Sequence, residues 1–172
     1  MDKIRKMWYN KRGKLKNHVE KRRGFMLNPL WAANNLLARG RNDGIIITPM
    51  KLQKLLYLLY RQFYKSENRA LFSERFEAWQ YGPVLGSVYR EFQEFKDKPI
   101  DRYYFENGKA IGIDENDYAG FKNAIDKVWS EYRDVGAIEL SRRTHQPGSA
   151  WEKSKNYGYL LKDEDIRDEE WI

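Results

Sequence analysis

Ser141 and His145 stand four residues apart, a spacing that on a helix brings a hydroxyl and an imidazole to one face, the minimum for a nucleophile beside its base. No surrounding motif would activate the hydroxyl, so both read as ordinary helix residues, with His145 bonded at the helix end. Glu91 with Glu94, and Asp114 with Glu115 and Asp117, offer the paired carboxylates that glycoside hydrolysis uses. They read as a solvated helix face and the start of a helix. The closest glycine pairs, Gly40 with Gly44, Gly82 with Gly86 and Gly108 with Gly112, fit neither the nucleotide-loop nor the dinucleotide spacing. His18 and His145 each lack a histidine four residues on, and the chain has no cysteine. Thiolate chemistry and disulfides are therefore excluded, and no cofactor or metal is expected. No catalytic residues are assigned, and the chain does not read as an enzyme.

Charge separates two regions. Within residues 1–24, Lys3, Arg5, Lys6, Lys11, Arg12, Lys14, Lys16, Lys21, Arg22 and Arg23 face only Asp2 and Glu20, a net charge of +8. The formal net charge of the whole chain is +7, so the rest carries −1. The expected organisation is a basic arm over residues 1–24 and one domain over 25–172. Trp8 and Tyr9 lie among the arm's cations, where they could stack on bases while Lys and Arg meet phosphates. The alternatives are an acidic protein partner or a solubilising tail. No apolar run approaches the roughly 20 residues of a membrane helix, so membrane insertion is not expected. Basic residues at the start without a following apolar core predict an unexported, cytoplasmic protein.

The elements that would carry these residues follow from periodicity and punctuation. Asn28-Pro29 caps a helix with Leu30, Ala33, Leu36 and Leu37 on one face and Gly40 as its stop. Ile45 to Ile47 is extended, and Thr48-Pro49 opens a second helix. There Leu52, Leu55, Leu56, Leu59 and Phe63 recur at helical spacing, with Lys51, Lys54, Arg61 and Lys65 turned to water. Phe76 to Trp79 is extended, and Tyr81-Gly82-Pro83 turns into a helix starting at Pro83. Asn107-Gly108 predicts a type I′ hairpin between Tyr103–Phe105 and Ala110–Ile113, with Glu106 opposite Lys109. A helix through Phe121, Ile125, Val128, Trp129 and Tyr132 ends at Gly136, a short one follows over Ala137–Thr144, and Ser149 with Glu152 has capping-box spacing. The fold class is α+β, mainly α: a helical domain with a small β-hairpin or antiparallel sheet.

Three strings together resemble the Panacea domain, also called SocA-like. They are Ile47-Thr-Pro-Met-Lys-Leu-Gln-Lys-Leu-Leu-Tyr57, then Phe76-Glu-Ala-Trp-Gln-Tyr-Gly-Pro-Val84 with Val88-Tyr-Arg-Glu-Phe92, and finally Ser141-Arg-Arg-Thr-His145 with Ser149-Ala-Trp151. They span most of residues 28–155. The resemblance implies an antitoxin of bacterial and phage genomes that neutralises a cognate toxin, encoded beside it, by direct binding. The toxins paired with this family have unrelated folds, so membership implies the role without naming the partner.

Within the matched strings, Leu52, Leu55, Leu56, Tyr57, Gly82 and Pro83 read as structural: core residues and a turn. Trp79, Tyr81, Tyr89 and Trp151 are aromatics with a polar tip, suited to an interface or to a small core. With His145, and with Trp8 and Tyr9 of the arm, they are the candidate partner-binding residues. Two other functions fit the same chain: an adaptor that presents a partner to a protease, and a nucleic-acid-binding autoregulator acting through the arm.

Overall fold

The computed structural model describes residues 26–155 and 159–170. The basic arm, with His18, Trp8 and Tyr9, lies outside the described residues. Seven α-helices and two two-stranded antiparallel sheets make up the described chain, which bears out a mainly α, α+β fold.

Helix α1 (Pro29–Asp43) is capped by Asn28, whose side chain accepts from the Leu30 N–H. It runs through Gly40 and ends at Gly44, which adopts the left-handed conformation with φ 70°. Gly40 is therefore not a stop. A Cβ there would lie 2.7 Å from Ile47 Cδ1 and 2.9 Å from the Ile45 carbonyl, so the glycine lets the extended Ile45–Ile47 segment pass against the helix.

Helix α2 (Pro49–Glu67) starts at the Thr48 cap, whose hydroxyl accepts from the Lys51 N–H. Every residue from Lys51 to Arg61 is buried, because α2 is the central element, packed by α1, by four helices that follow it and by the strand Gly82–Val84. The water-facing positions expected for Lys51, Lys54 and Arg61 are thus corrected; only Lys65 is exposed. An amphipathic pattern marks one apolar stripe but does not reveal that neighbours cover the polar stripe too.

Strands β1 (Glu77–Trp79) and β2 (Gly82–Val84) pair antiparallel, with Trp79 opposite Gly82. Gly82 and Pro83 belong to a buried strand, and helix α3 (Gly86–Phe92) begins three residues later than Pro83. The second hairpin joins β3 (Phe105–Glu106) to β4 (Lys109–Ala110), with Glu106 opposite Lys109 as expected. Asn107 and Gly108 both take positive φ, 50° and 73°. The ladder is shorter than the expected strands because buried amides of α1 take over the flanking backbone. Asn34 bonds Tyr104 N and O and Ile111 O, while Asn35 bonds Ile113 N and O.

Helix α4 (Ala119–Tyr132) packs along α2. Gly136 does not end it; it is the extended N-cap residue of α5 (Ala137–Thr144). Helix α6 (Ala150–Ser154) begins at Ser149, whose hydroxyl accepts from the Glu152 N–H while Glu152 accepts from the Gly148 N–H. Residues 159–161 then run beside β1: Ala78 donates to the Tyr159 carbonyl and Leu161 to that of Phe76. Helix α7 (Asp163–Arg167) returns onto α2.

Candidate functional site

The first and second matched strings meet in the core. Gln53 of α2 accepts from the Leu85 N–H at 2.9 Å and donates to the Leu85 carbonyl at 3.1 Å. One turn position away, Lys54 Nζ donates to the Pro83 carbonyl at 3.0 Å. Lys54 is 1% exposed, and burial pushes its ammonium down to about 7. Gly82, at φ 104°, leaves no room for a side chain: a Cβ would meet Thr144 Oγ1 at 2.5 Å and Lys54 Nζ at 2.8 Å. Leu52, Leu55, Leu56 and Tyr57 are all fully buried. These residues fix the β1–β2 hairpin on α2 and α5; they do not face a partner.

The third string is tied to the loop between the strands. Ser141 Oγ donates to the Tyr81 carbonyl at 2.8 Å. His145 closes the C-terminus of α5, its Nδ1 2.6 Å from the Ser141 carbonyl and its Nε2 3.0 Å from the Gln80 carbonyl. The serine hydroxyl and the imidazole each engage backbone carbonyls, so the hydrogen bond that would make Ser141 a nucleophile is not formed. Glu91 and Glu94 both pair with Arg102, at 2.5 and 2.6 Å, and Glu115 pairs with Arg39 at 2.6 Å. Helix α4 starts only at Ala119, so the acidic run precedes its first turn. Among the described residues no group of three His, Asp or Glu side chains could hold a metal.

What the hairpin, α5 and α6 assemble is an aromatic face. Trp151 Nε1 donates to the Trp79 carbonyl at 2.7 Å, and its ring meets that of His145 at 3.9 Å. Trp79 Nε1 donates to Glu77 at 2.8 Å, and its ring meets that of Tyr89 at 4.6 Å, edge to face. Tyr81 is 60% exposed and Tyr89 40%. Four of the five candidate residues of the folded body, Trp79 and Tyr89 of the second string and His145 and Trp151 of the third, are thus linked to one another, and Tyr81 follows Trp79 in the loop between the strands. Residues that the sequence did not single out complete the face: Ala78, Gln80, Lys155 and Tyr159 line a groove of about 420 Å³ with Trp79 and Trp151. Tyr159 joins through backbone pairing with β1, which no spacing in the sequence announces.

The C-terminal stretch inserts a carboxylate into the core. Glu169 accepts from Tyr57 Oη at 2.8 Å and from the Ala150 N–H at 2.7 Å, beside Arg61. Burial pushes Glu169 up to about 7, against the pull of the Ala150 N–H, the Tyr57 hydroxyl and the Arg61 guanidinium. The Ala150 N–H opens α6, so the same carboxylate anchors the helix that carries Trp151.

Among the described residues no helix is long and apolar enough to cross a membrane. The family profile described as "Antitoxin SocA-like, Panacea domain" matches residues 52–152. Antitoxin SocA of Caulobacter vibrioides (strain NA1000 / CB15N) is 30% identical over 132 residues, covering 72% of this chain and 68% of that protein. No solved structure matches the chain significantly.

Proposed function

The chain belongs to the SocA-like Panacea domain family, and we propose that it is an antitoxin that neutralises a protein toxin by binding it through the aromatic face. The role is that of a binding protein, not a catalyst. One observation carries the choice of surface: Trp79, Tyr89, His145 and Trp151 come from four different elements yet are linked in one aromatic cluster, with Tyr89 exposed and the exposed Tyr81 two residues on from Trp79. Large aromatics with polar tips supply much of the energy of protein interfaces. The rest of each matched string is spent on holding that face in place. Under this reading the arm, residues 1–24, is a separable element.

The test is co-expression with the product of the adjacent gene. Growth arrest by that product alone, rescue by the wild-type chain, and loss of rescue and of co-purification in Trp151→Ala support the reading. A harmless neighbour, or a Trp151→Ala chain that still folds, rescues and co-purifies at wild-type levels, overturns it.

A further inference from the structure

Resting on that reading, we propose that the groove between the β1–β2 loop and α6 recognises an apolar or aromatic side chain of the partner protein that is flanked by a carboxylate, with the carboxylate seated on Lys155. The argument is one of donors and acceptors. Among the described residues, the Trp79 carbonyl accepts from Trp151 Nε1 and the Tyr159 carbonyl from the Ala78 N–H, and His145 Nε2 lies 3.0 Å from the Gln80 carbonyl. Both indole donors are used as well, Trp79 on Glu77 and Trp151 on Trp79. Glu77 and Glu152 each have one carboxylate oxygen engaged, by the Trp79 indole and by the Gly148 N–H. The ring faces, the Gln80 amide and the Lys155 ammonium remain to meet a ligand.

Lys155 Nζ lies 4.0 Å from the centre of the Trp151 ring, and among the described residues it forms no ion pair. A cation held on an indole face keeps its remaining donors for an anion at the groove rim. A basic segment would set its charge against the Lys155 ammonium, whereas a carboxylate beside an apolar anchor satisfies both the rings and the ammonium. The groove, at about 420 Å³, has room for a large side chain. A nucleic acid would need more cations in line than Lys155 to hold successive phosphates.

The experiment uses the full chain with its indole N–H resonances followed by NMR, since both indoles report on the groove directly. The probes are acetyl-Asp-Phe-Asp-amide, acetyl-Lys-Phe-Lys-amide and a single-stranded oligonucleotide. The acidic peptide should shift the Trp79 and Trp151 signals at a concentration at least tenfold lower than the basic one. Lys155→Glu, a change at an exposed position, should reverse that order. Equal binding of the two peptides, preference for the basic one, no shift at either indole, or tighter binding of the oligonucleotide at these indoles overturns the proposal. Neutralisation separates this failure from that of the underlying reading. Full rescue by Trp151→Ala removes the face itself, while loss of rescue in Trp151→Ala with full rescue by Lys155→Glu removes only the carboxylate contact.

Discussion

Gln53 and Leu85 pair as two strands would, the side-chain amide of one giving and taking a hydrogen bond with the backbone of the other. Both groups are buried, 32 residues apart in the chain. With Lys54 on Pro83, this pairing makes the helical string and the Gly-Pro-Val string one structural unit. The face that carries Trp79 and Tyr81 is therefore positioned from below by polar groups, not only by apolar packing.

Gln53→Leu tests this arrangement. The substitution keeps the bulk but leaves the Leu85 N–H without a partner, a buried group that costs about 1–3 kcal/mol when unsatisfied, while the Leu85 carbonyl keeps its bond from the Tyr89 N–H. Urea denaturation should show a loss of about 1–3 kcal/mol. A loss below about 0.5 kcal/mol would mean that water or a neighbour replaces the amide.

Gly40→Ala should destabilise the protein even though alanine is the better helix former. Propensity favours alanine by about 1 kcal/mol in a helix interior. The added Cβ would sit 2.7 Å from Ile47 Cδ1 and 2.9 Å from the Ile45 carbonyl, and forced overpacking costs typically about 1–3 kcal/mol. A lowered thermal midpoint is expected; a raised one would show that the extended segment yields.

These two positions also show how far the sequence could be read. Both caps, at Asn28 and Thr48, the Asn107-Gly108 turn and the register of Glu106 with Lys109 were legible, because each depends on a few adjacent residues. Gly40 and Gly136 were misread as helix ends, since a glycine announces permissive backbone without saying whether a cap or a close neighbour needs it. Lys51, Lys54 and Arg61 were placed in water by amphipathic spacing, but α2 is covered on all sides and each cation finds a carbonyl: Arg133, Pro83 and Glu169 respectively. The aromatic candidates were legible as residue types. Their convergence was not, because it rests on contacts such as Trp151 with Trp79, 72 positions apart.

Tyr81→Ala separates binding from folding. The ring is 60% exposed, and the contact that Tyr81 makes with Ser141 goes through its backbone carbonyl. Stability should change by no more than about 0.5 kcal/mol. Toxin binding should weaken at least tenfold, about 1.4 kcal/mol, by calorimetry with the purified partner. Unchanged affinity would remove Tyr81 from the interface.

Lys54 gives the protein a pH dependence on the alkaline side. Burial lowers its ammonium from 10.5 to about 7, so between those values the folded state holds fewer protons than the unfolded one. The stability it contributes is present above pH 10.5 and is lost as pH falls through about 7. Relative to Lys54→Met, the wild type should gain stability as pH rises from 7 toward 10, with a limiting slope of about 1.4 kcal/mol per pH unit. A pH-independent difference would show that the ammonium is not desolvated.

Glu169 produces the opposite slope on the acid side. Its carboxyl is raised from 4.5 to about 7 by burial, so the folded state holds more protons between those values. Its contribution to stability is fully present below pH 4.5 and is lost as pH rises through about 7. Glu169→Gln keeps an acceptor for the Tyr57 hydroxyl and the Ala150 N–H but has nothing to titrate. The wild type should therefore lose stability relative to this variant as pH rises from 4.5 to 7, and the difference should level off above that. Taken with Lys54, the two buried groups place a minimum of their combined contribution near pH 7. Chemical denaturation of the wild type and both variants between pH 4.5 and 10 measures each slope separately. A wild type that gains stability over Glu169→Gln between pH 4.5 and 7 would mean that Arg61 and the helix N-terminus outweigh burial, so that the carboxylate stays ionised in the core.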